Sequence, residues 1–176
     1  MRKKIKALET KYDGYMFRSR LEARWACYFN NMEIEFNYEP QGFDLGGMKY
    51  LPDFYLPQLE VWAEVKGGEL NDRDYEKAKR LCRETEQPVL LLTGDPALKT
   101  YTMLIADEKL RSGVDVYNVN MILSDKTDSG LLVSNFLNGV KDYKAHGEEG
   151  LKAYNAYSEC RKERFGVFEN PLKSLF

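Results

Sequence analysis

The segment LPDFYLPQLEVWAEVK, residues 51–66, sets Asp53, Glu64 and Lys66 among side chains that belong in a protein core. Read as two strands, 51–56 and 61–66, it forms a hairpin around Pro57-Gln58-Leu59-Glu60. Symmetric pairing about that loop puts Asp53 directly opposite Glu64, where Cβ atoms stand roughly 4.5–5.5 Å apart. Lys66 follows Glu64 by two residues and shares its face. A solvated salt-bridge ladder would show the same spacing. The neighbours argue against it: Phe54, Tyr55, Val61, Trp62, Ala63 and Val65 make both faces of the hairpin apolar. Strands apolar on both faces are buried on both, and charges placed there must be paired or bound to metal.

Two carboxylates held that close repel unless a cation sits between them or one is protonated. Oxygen-only ligation suits Mg²⁺, with Mn²⁺ as a substitute. A hard cation with open water positions lowers the pKa of a bound water, neutralises phosphate oxygens and stabilises a leaving oxygen, which is the chemistry of phosphodiester hydrolysis. Lys66 would orient the attacking water or stabilise developing negative charge.

A third acidic residue comes from upstream. Residues 17–32 (FRSRLEARWACYFNNM) have helical periodicity, with Phe17, Leu21, Trp25, Tyr28, Phe29 and Met32 on one stripe. Glu22 lies on a flank of that stripe, within reach of a site on an adjoining sheet. The competing assignment is a solvated boundary glutamate paired with Arg18 four residues earlier.

Taken together, Glu22, Pro52-Asp53 and Glu64-Val65-Lys66 resemble the signature of the PD-(D/E)XK nuclease superfamily. A longer pattern is similar to the phage endonuclease I type of junction-resolving nuclease and related small stand-alone nucleases. It comprises Phe17-Arg18-Ser19 with Leu21-Glu22, Phe36 with Tyr38-Glu39, Pro52 through Pro57, and Glu64 with Lys66-Gly67. The resemblance implies an α/β, restriction endonuclease-like core: a mixed sheet flanked by helices in the order α-β-β-β-α-β. It also implies a Mg²⁺-dependent endodeoxyribonuclease in which Asp53, Glu64 and the Val65 backbone carbonyl bind metal, Lys66 is the catalytic lysine and Glu22 completes the acidic set. Branched DNA or a Holliday junction is the narrower expectation for the substrate. Junction cleavage needs two sites and hence a homodimer, for which the sequence carries no signature. A nicking or restriction-type nuclease shares the chemistry. A non-catalytic or partner-dependent nucleic-acid-binding subunit is the alternative from another class.

The similarity covers residues 14–93 and leaves 94–176 as an unmatched extension of what reads as one domain, 1–176. After the Lys66-Gly67-Gly68 turn, Asn71 or Asp72 caps a helix to about residue 85, and 89–93 (VLLLT) reads as a buried strand. Strand, helix, strand makes this last strand parallel to 61–66. Arg73, Lys77 and Arg80 form a basic stripe on the helix, either a solvated face or a phosphate contact; Lys77 and Arg18 are the candidate DNA-binding residues. Further strands are expected at 101–106, 114–123 and 131–137. A C-terminal helix is expected over 150–165, with Leu151, Tyr154, Tyr157 or Ser158, Arg161 and Phe165 at helical spacing.

Composition narrows the function classes. The chain has 176 residues, 43% hydrophobic and 31% charged, with a net charge of −2, which argues against broad coating of nucleic acid. His146 is the lone histidine, and Cys27, Cys82 and Cys160 are far apart. Zinc sites built on Cys/His spacing and multi-histidine nuclease mechanisms therefore find no support. No Walker A or GxGxxG pattern points to a nucleotide cofactor. No apolar run approaches the roughly 20 residues of a membrane span. The basic start MRKKIKALETK lacks the apolar region of a secretory signal and reads as a frayed terminus or a phosphate-contacting arm. Three thiols, odd in number and two of them on apolar-patterned helices, fit a reducing cytoplasm.

Overall fold

Asp-Gly and Gly-Gly turns, a serine cap and a run of buried β-branched and leucine residues divide this chain into its elements. The structure, a computed structural model, describes residues 7–96, 100–107, 113–120 and 147–167. A hairpin of β1 (Thr10–Tyr12) and β2 (Tyr15–Phe17) leads into α1 (Arg20–Asn31), followed by β3 (Asn37–Tyr38). A short ribbon, β4 (Phe43–Asp44) and β5 (Lys49–Tyr50), precedes β6 (Phe54–Leu56) and β7 (Val61–Lys66). Then come α2 (Asp72–Thr85), β8 (Val89–Thr93), β9 (Thr100–Ala106), β10 (Val114–Asn120), α3 (Gly147–Lys162) and β11 (Gly166–Val167).

Six strands form one mixed sheet in the order β10-β9-β8-β7-β6-β3. Only the β7–β8 pair in it is parallel, joined through α2 as strand-helix-strand spacing requires. The fold class is α/β. β11-β1-β2 form a separate three-stranded sheet.

Period-two alternation separates two cores. Phe54, Ala63, Leu90, Leu92 and Met103 pack with Trp25 and Phe29 of α1 and with Ala153, Ala156 and Cys160 of α3. Trp62, Val89, Leu91 and Leu104 point the other way, against Ala78, Leu81 and Cys82 of α2. β8 is therefore buried on both faces, which its unbroken VLLLT demands. Glu64 and Lys66 share the parity of Trp62, so both stand on the α2 side of the sheet.

Several expectations change. The helix begins at Arg20 rather than at residue 17, because the Ser19 side chain caps it, accepting the Glu22 N–H at 3.1 Å. Phe17 instead ends β2, and the upstream segment is paired rather than frayed from Thr10 onward. Its turn, Asp13-Gly14, has both φ angles positive (46° and 80°), as a tight two-residue hairpin requires. The strand expected over 51–56 shortens to β6. The buried face of α3 is Ala153, Ala156 and Cys160, while Leu151 and Tyr154 are exposed; small residues let α3 lie close to α1. β9 and β10 fall where strands were expected, whereas 121–123 and the strand over 131–137 lie outside the described residues. The three cysteines are buried and unpaired, with burial pushing the thiols of Cys82 and Cys160 up to about 11 and about 12; they act as small core residues. Among the described residues, no helix is long and apolar enough to cross a membrane.

Candidate active site

The hairpin register delivers the first pair. Phe54 pairs with Ala63, Tyr55 with Trp62 and Leu56 with Val61. One step further along that register, Asp53 faces Glu64. Asp53 Oδ2 accepts the Val65 N–H at 2.8 Å, which locks the aspartate to β7 just beyond the end of β6. The end of β7 is held in turn: the Gly94 N–H donates to the Lys66 carbonyl at 2.6 Å, and the Trp25 indole donates to the Gly94 carbonyl at 3.0 Å.

Asp53, Glu64 and Glu22 are 7%, 6% and 9% exposed, and among the described residues they are the buried charged side chains. Each is held by specific donors. Glu64 Oε2 accepts the Tyr50 hydroxyl at 2.9 Å, and its Oε1 lies 2.7 Å from Lys66 Nζ. Lys66 also reaches Asp74 Oδ1, at 3.3 Å. Glu22 accepts from Ser19 Oγ at 2.6 Å, from the Tyr38 hydroxyl at 2.6 Å and from the Arg18 N–H at 3.1 Å. It is thus neither solvated nor paired with the Arg18 guanidinium. That guanidinium forms an ion pair with Glu39 and lies 3.8 Å from Asp53 Oδ1.

All of these groups meet at one cleft of about 390 Å³, lined by Arg18, Glu22, Asp53, Glu64, Val65 and Lys66, with Lys77 and Lys49 adding positive charge. The residues expected to bind metal or act in catalysis, together with Arg18 and Lys77, therefore line one cleft. The basic stripe on α2 does not act as a unit. Lys77 turns into the cleft with its ammonium 5.1 Å from the Tyr50 ring centroid. Arg80 pairs with Glu76 and donates to the Leu45 carbonyl at 2.9 Å, tying the β4–β5 ribbon to α2. Arg73 is exposed.

The Asp53 carboxyl is raised to about 8, first by burial and then by the charges of Glu64 and Glu22, which together outweigh the lowering by the Val65 N–H and Lys66. Burial pulls Lys66 down, but Glu64 and Asp74 more than offset it and keep the ammonium charged. Burial and the charge of Glu64 raise the Tyr50 phenol far out of its ordinary range, so it stays a donor.

A divalent cation fits this donor set. Asp53 and Glu64 offer hard oxygens at an open cleft, and a cation between them would relieve the repulsion that, after burial, raises the Asp53 carboxyl. Glu22 lines the same cleft, and its two oxygens are engaged by protein donors as those of Glu64 are; among the described residues, no group of three or more His, Cys, Asp or Glu is arranged to hold a metal.

Tyr50, Asp74 and Lys49 were not singled out in the sequence, and Tyr38 entered only as part of the pattern Phe36 with Tyr38-Glu39. The Gly46-Gly47 turn flanked by aromatic residues was a readable hairpin signal for the β4–β5 ribbon that carries Tyr50. Nothing local marks Asp74 as a neighbour of Lys66. Tyr50→Phe removes one donor to Glu64 and keeps the ring under Lys77. It is expected to weaken Mn²⁺ binding roughly 10-fold, measured by titration calorimetry.

Compared with protein-family models, curated proteins and solved structures, the chain matches none.

Proposed function

We propose that this chain is a divalent-cation-dependent endonuclease of the PD-(D/E)XK type that hydrolyses phosphodiester bonds in DNA. One observation carries the reading: the buried acidic residues of the described structure line a single cleft, beside a charged lysine and under a rim of further cations. An inert surface hairpin has no use for that expense of burial. The element order supports it as well. α1, the antiparallel β3, β6 and β7, then α2 and the parallel β8 follow the α-β-β-β-α-β sequence that the resemblance implies.

Asp53 and Glu64 would hold the cation, with the Val65 carbonyl beside them in the family pattern. The bound cation would supply a more acidic water and neutralise phosphate oxygens. Tyr50 fixes the Glu64 carboxylate, and the Val65 N–H fixes Asp53. Lys66 places an ammonium where negative charge develops as a water oxygen attacks phosphorus and the P–O ester bond breaks. Lys49 and Lys77 at the rim suit a polyanionic backbone. Glu22 shapes the field around Asp53 and holds the Ser19 cap of α1 by accepting from its hydroxyl. Branched DNA or a four-way junction, cut by a homodimer, is the narrower substrate proposal.

The non-catalytic reading draws on one observation, that the carboxylates already have protein partners. The two readings separate when the purified chain is incubated with plasmid, linear duplex and a four-way junction in Mg²⁺, Mn²⁺ or EDTA. Cleavage in Mg²⁺ or Mn²⁺ that stops in EDTA is the expected result; binding without cleavage in either metal overturns the enzyme proposal. Lys77→Ala is expected to raise KM about 3–10-fold and to reduce the salt slope of DNA binding by about one. An unchanged slope would place Lys77 outside the interface.

A further inference from the structure

The Lys66 ammonium is shared by two carboxylates, Glu64 Oε1 at 2.7 Å and Asp74 Oδ1 at 3.3 Å. Asp74 belongs to the first turn of α2, and its side chain is only 11% exposed. Its second oxygen, Oδ2, accepts the Asn71 N–H at 3.1 Å, while Asn71 Oδ1 accepts the Asp74 N–H at 3.2 Å. This capping box needs one oxygen of Asp74. The other is free to face Lys66, and the box fixes its direction.

That geometry matters because Glu64 has two suitors. A divalent cation at Asp53 and Glu64 competes with Lys66 for the same carboxylate. Without Asp74, cation binding would break a short charge-assisted hydrogen bond and leave a half-buried ammonium unpaired, which is costly. With Asp74 present, the ammonium keeps a partner and its place in the cleft.

We infer that Asp74 is a positioning residue of the proposed site: it takes up the Lys66 ammonium when Glu64 turns to a divalent cation. The inference rests on the nuclease reading, and its test uses metal binding rather than cleavage. Mn²⁺ affinity is measured by titration calorimetry on the full chain for wild type, Asp74→Asn, Lys66→Met and the double variant. Asp74→Asn keeps an oxygen for the Asn71 N–H, and a thermal melt reads whether the cap survives.

In the wild-type background Asp74→Asn weakens Mn²⁺ binding about tenfold. In the Lys66→Met background the same change alters it less than twofold, because no ammonium remains to be received. Asp74→Glu, which keeps the carboxylate, recovers most of the affinity, and Asp74→Gln, an uncharged residue that capping boxes accept at this position, serves in place of Asp74→Asn if the latter lowers the melting temperature. Equal losses in both backgrounds would mean that Asp74 acts only as a distant negative charge, and this overturns the inference. So does an unchanged affinity in Asp74→Asn, while leaving the nuclease reading in place. Absence of Mn²⁺ binding in the wild type overturns both.

Discussion

Asp53→Asn is expected to abolish metal-dependent cleavage, by about a thousandfold or more, and to raise the melting temperature at pH 8. The two effects share one cause. Asp53 is buried, faces Glu64 across the hairpin, and its carboxyl is raised by burial and by the charges of Glu64 and Glu22. An amide keeps an oxygen to accept the Val65 N–H and removes the charge that the fold tolerates poorly. What would be lost is the proposed anionic ligand, without which a hard cation would have only Glu64 as a strong anchor. A loss of that size is what removing a group that organises charge in the transition state costs. Functional sites carry such burdens at the expense of stability, so a gain of roughly 1–3 kcal/mol at pH 8 is expected. For a chain of this size, each kcal/mol moves the melting temperature about 2–4 °C. Cleavage of plasmid in Mg²⁺ and a thermal melt monitored by circular dichroism test both arms. Activity within tenfold of wild type, or a lower melting temperature with lost activity, would show that Asp53 is a structural residue.

Much of this site was legible because β-structure has a period of two. Once the loop Pro57–Glu60 is recognised, the parity of Asp53, Glu64 and Lys66 follows, and the Phe54–Ala63 register bears it out. The parallel placement of β8 was equally readable from strand-helix-strand spacing. Contacts between segments distant in sequence were not readable. Tyr50 reaches Glu64 across fourteen residues, and it does so because Arg80 and Lys77 of α2 hold the β4–β5 ribbon in place. Tyr38 meets Glu22 because β3 lies beside β6 at the sheet edge. The misjudged face of α3 has a similar origin. Helical periodicity fits Leu151 and Tyr154 as well as it fits Ala153 and Ala156, and only proximity to α1 selects the small residues.

The placement of α2 links these contacts. Asp74 and Lys77, three residues apart on one face, reach the two charged side chains of β7 by different routes. Asp74 touches Lys66 directly, while Lys77 lies over the tyrosine that holds Glu64. A helix that serves as a crossover in the fold thereby also sets the orientation of the charged strand.

The wild-type protein should lose stability as pH rises from 5 to 8 and regain it when Mg²⁺ is added at pH 8. The Asp53 carboxyl is raised from its ordinary 3.8 to about 8 in the folded state. Between those values the folded protein retains a proton that the unfolded chain has released. Stability from this group is therefore full below about pH 4 and is lost progressively toward pH 8. Across that window a proton held only by the folded state is worth about 1.4 kcal/mol for every pH unit, so a loss of roughly 2–4 kcal/mol is expected between pH 5 and 8. Subtracting the Asp53→Asn curve isolates this contribution from the other titrating groups. Mg²⁺ competes with the proton for the same oxygen. At about a hundredfold excess over its Kd it should restore some 2.7 kcal/mol at pH 8, and far less at pH 5, where the proton already occupies Asp53. Thermal melts of both proteins across pH, with and without Mg²⁺, provide the measurement. A Mg²⁺ effect equal in wild type and Asp53→Asn, or equal at both pH values, would separate the cation from Asp53 and with it dissolve the proposed metal site.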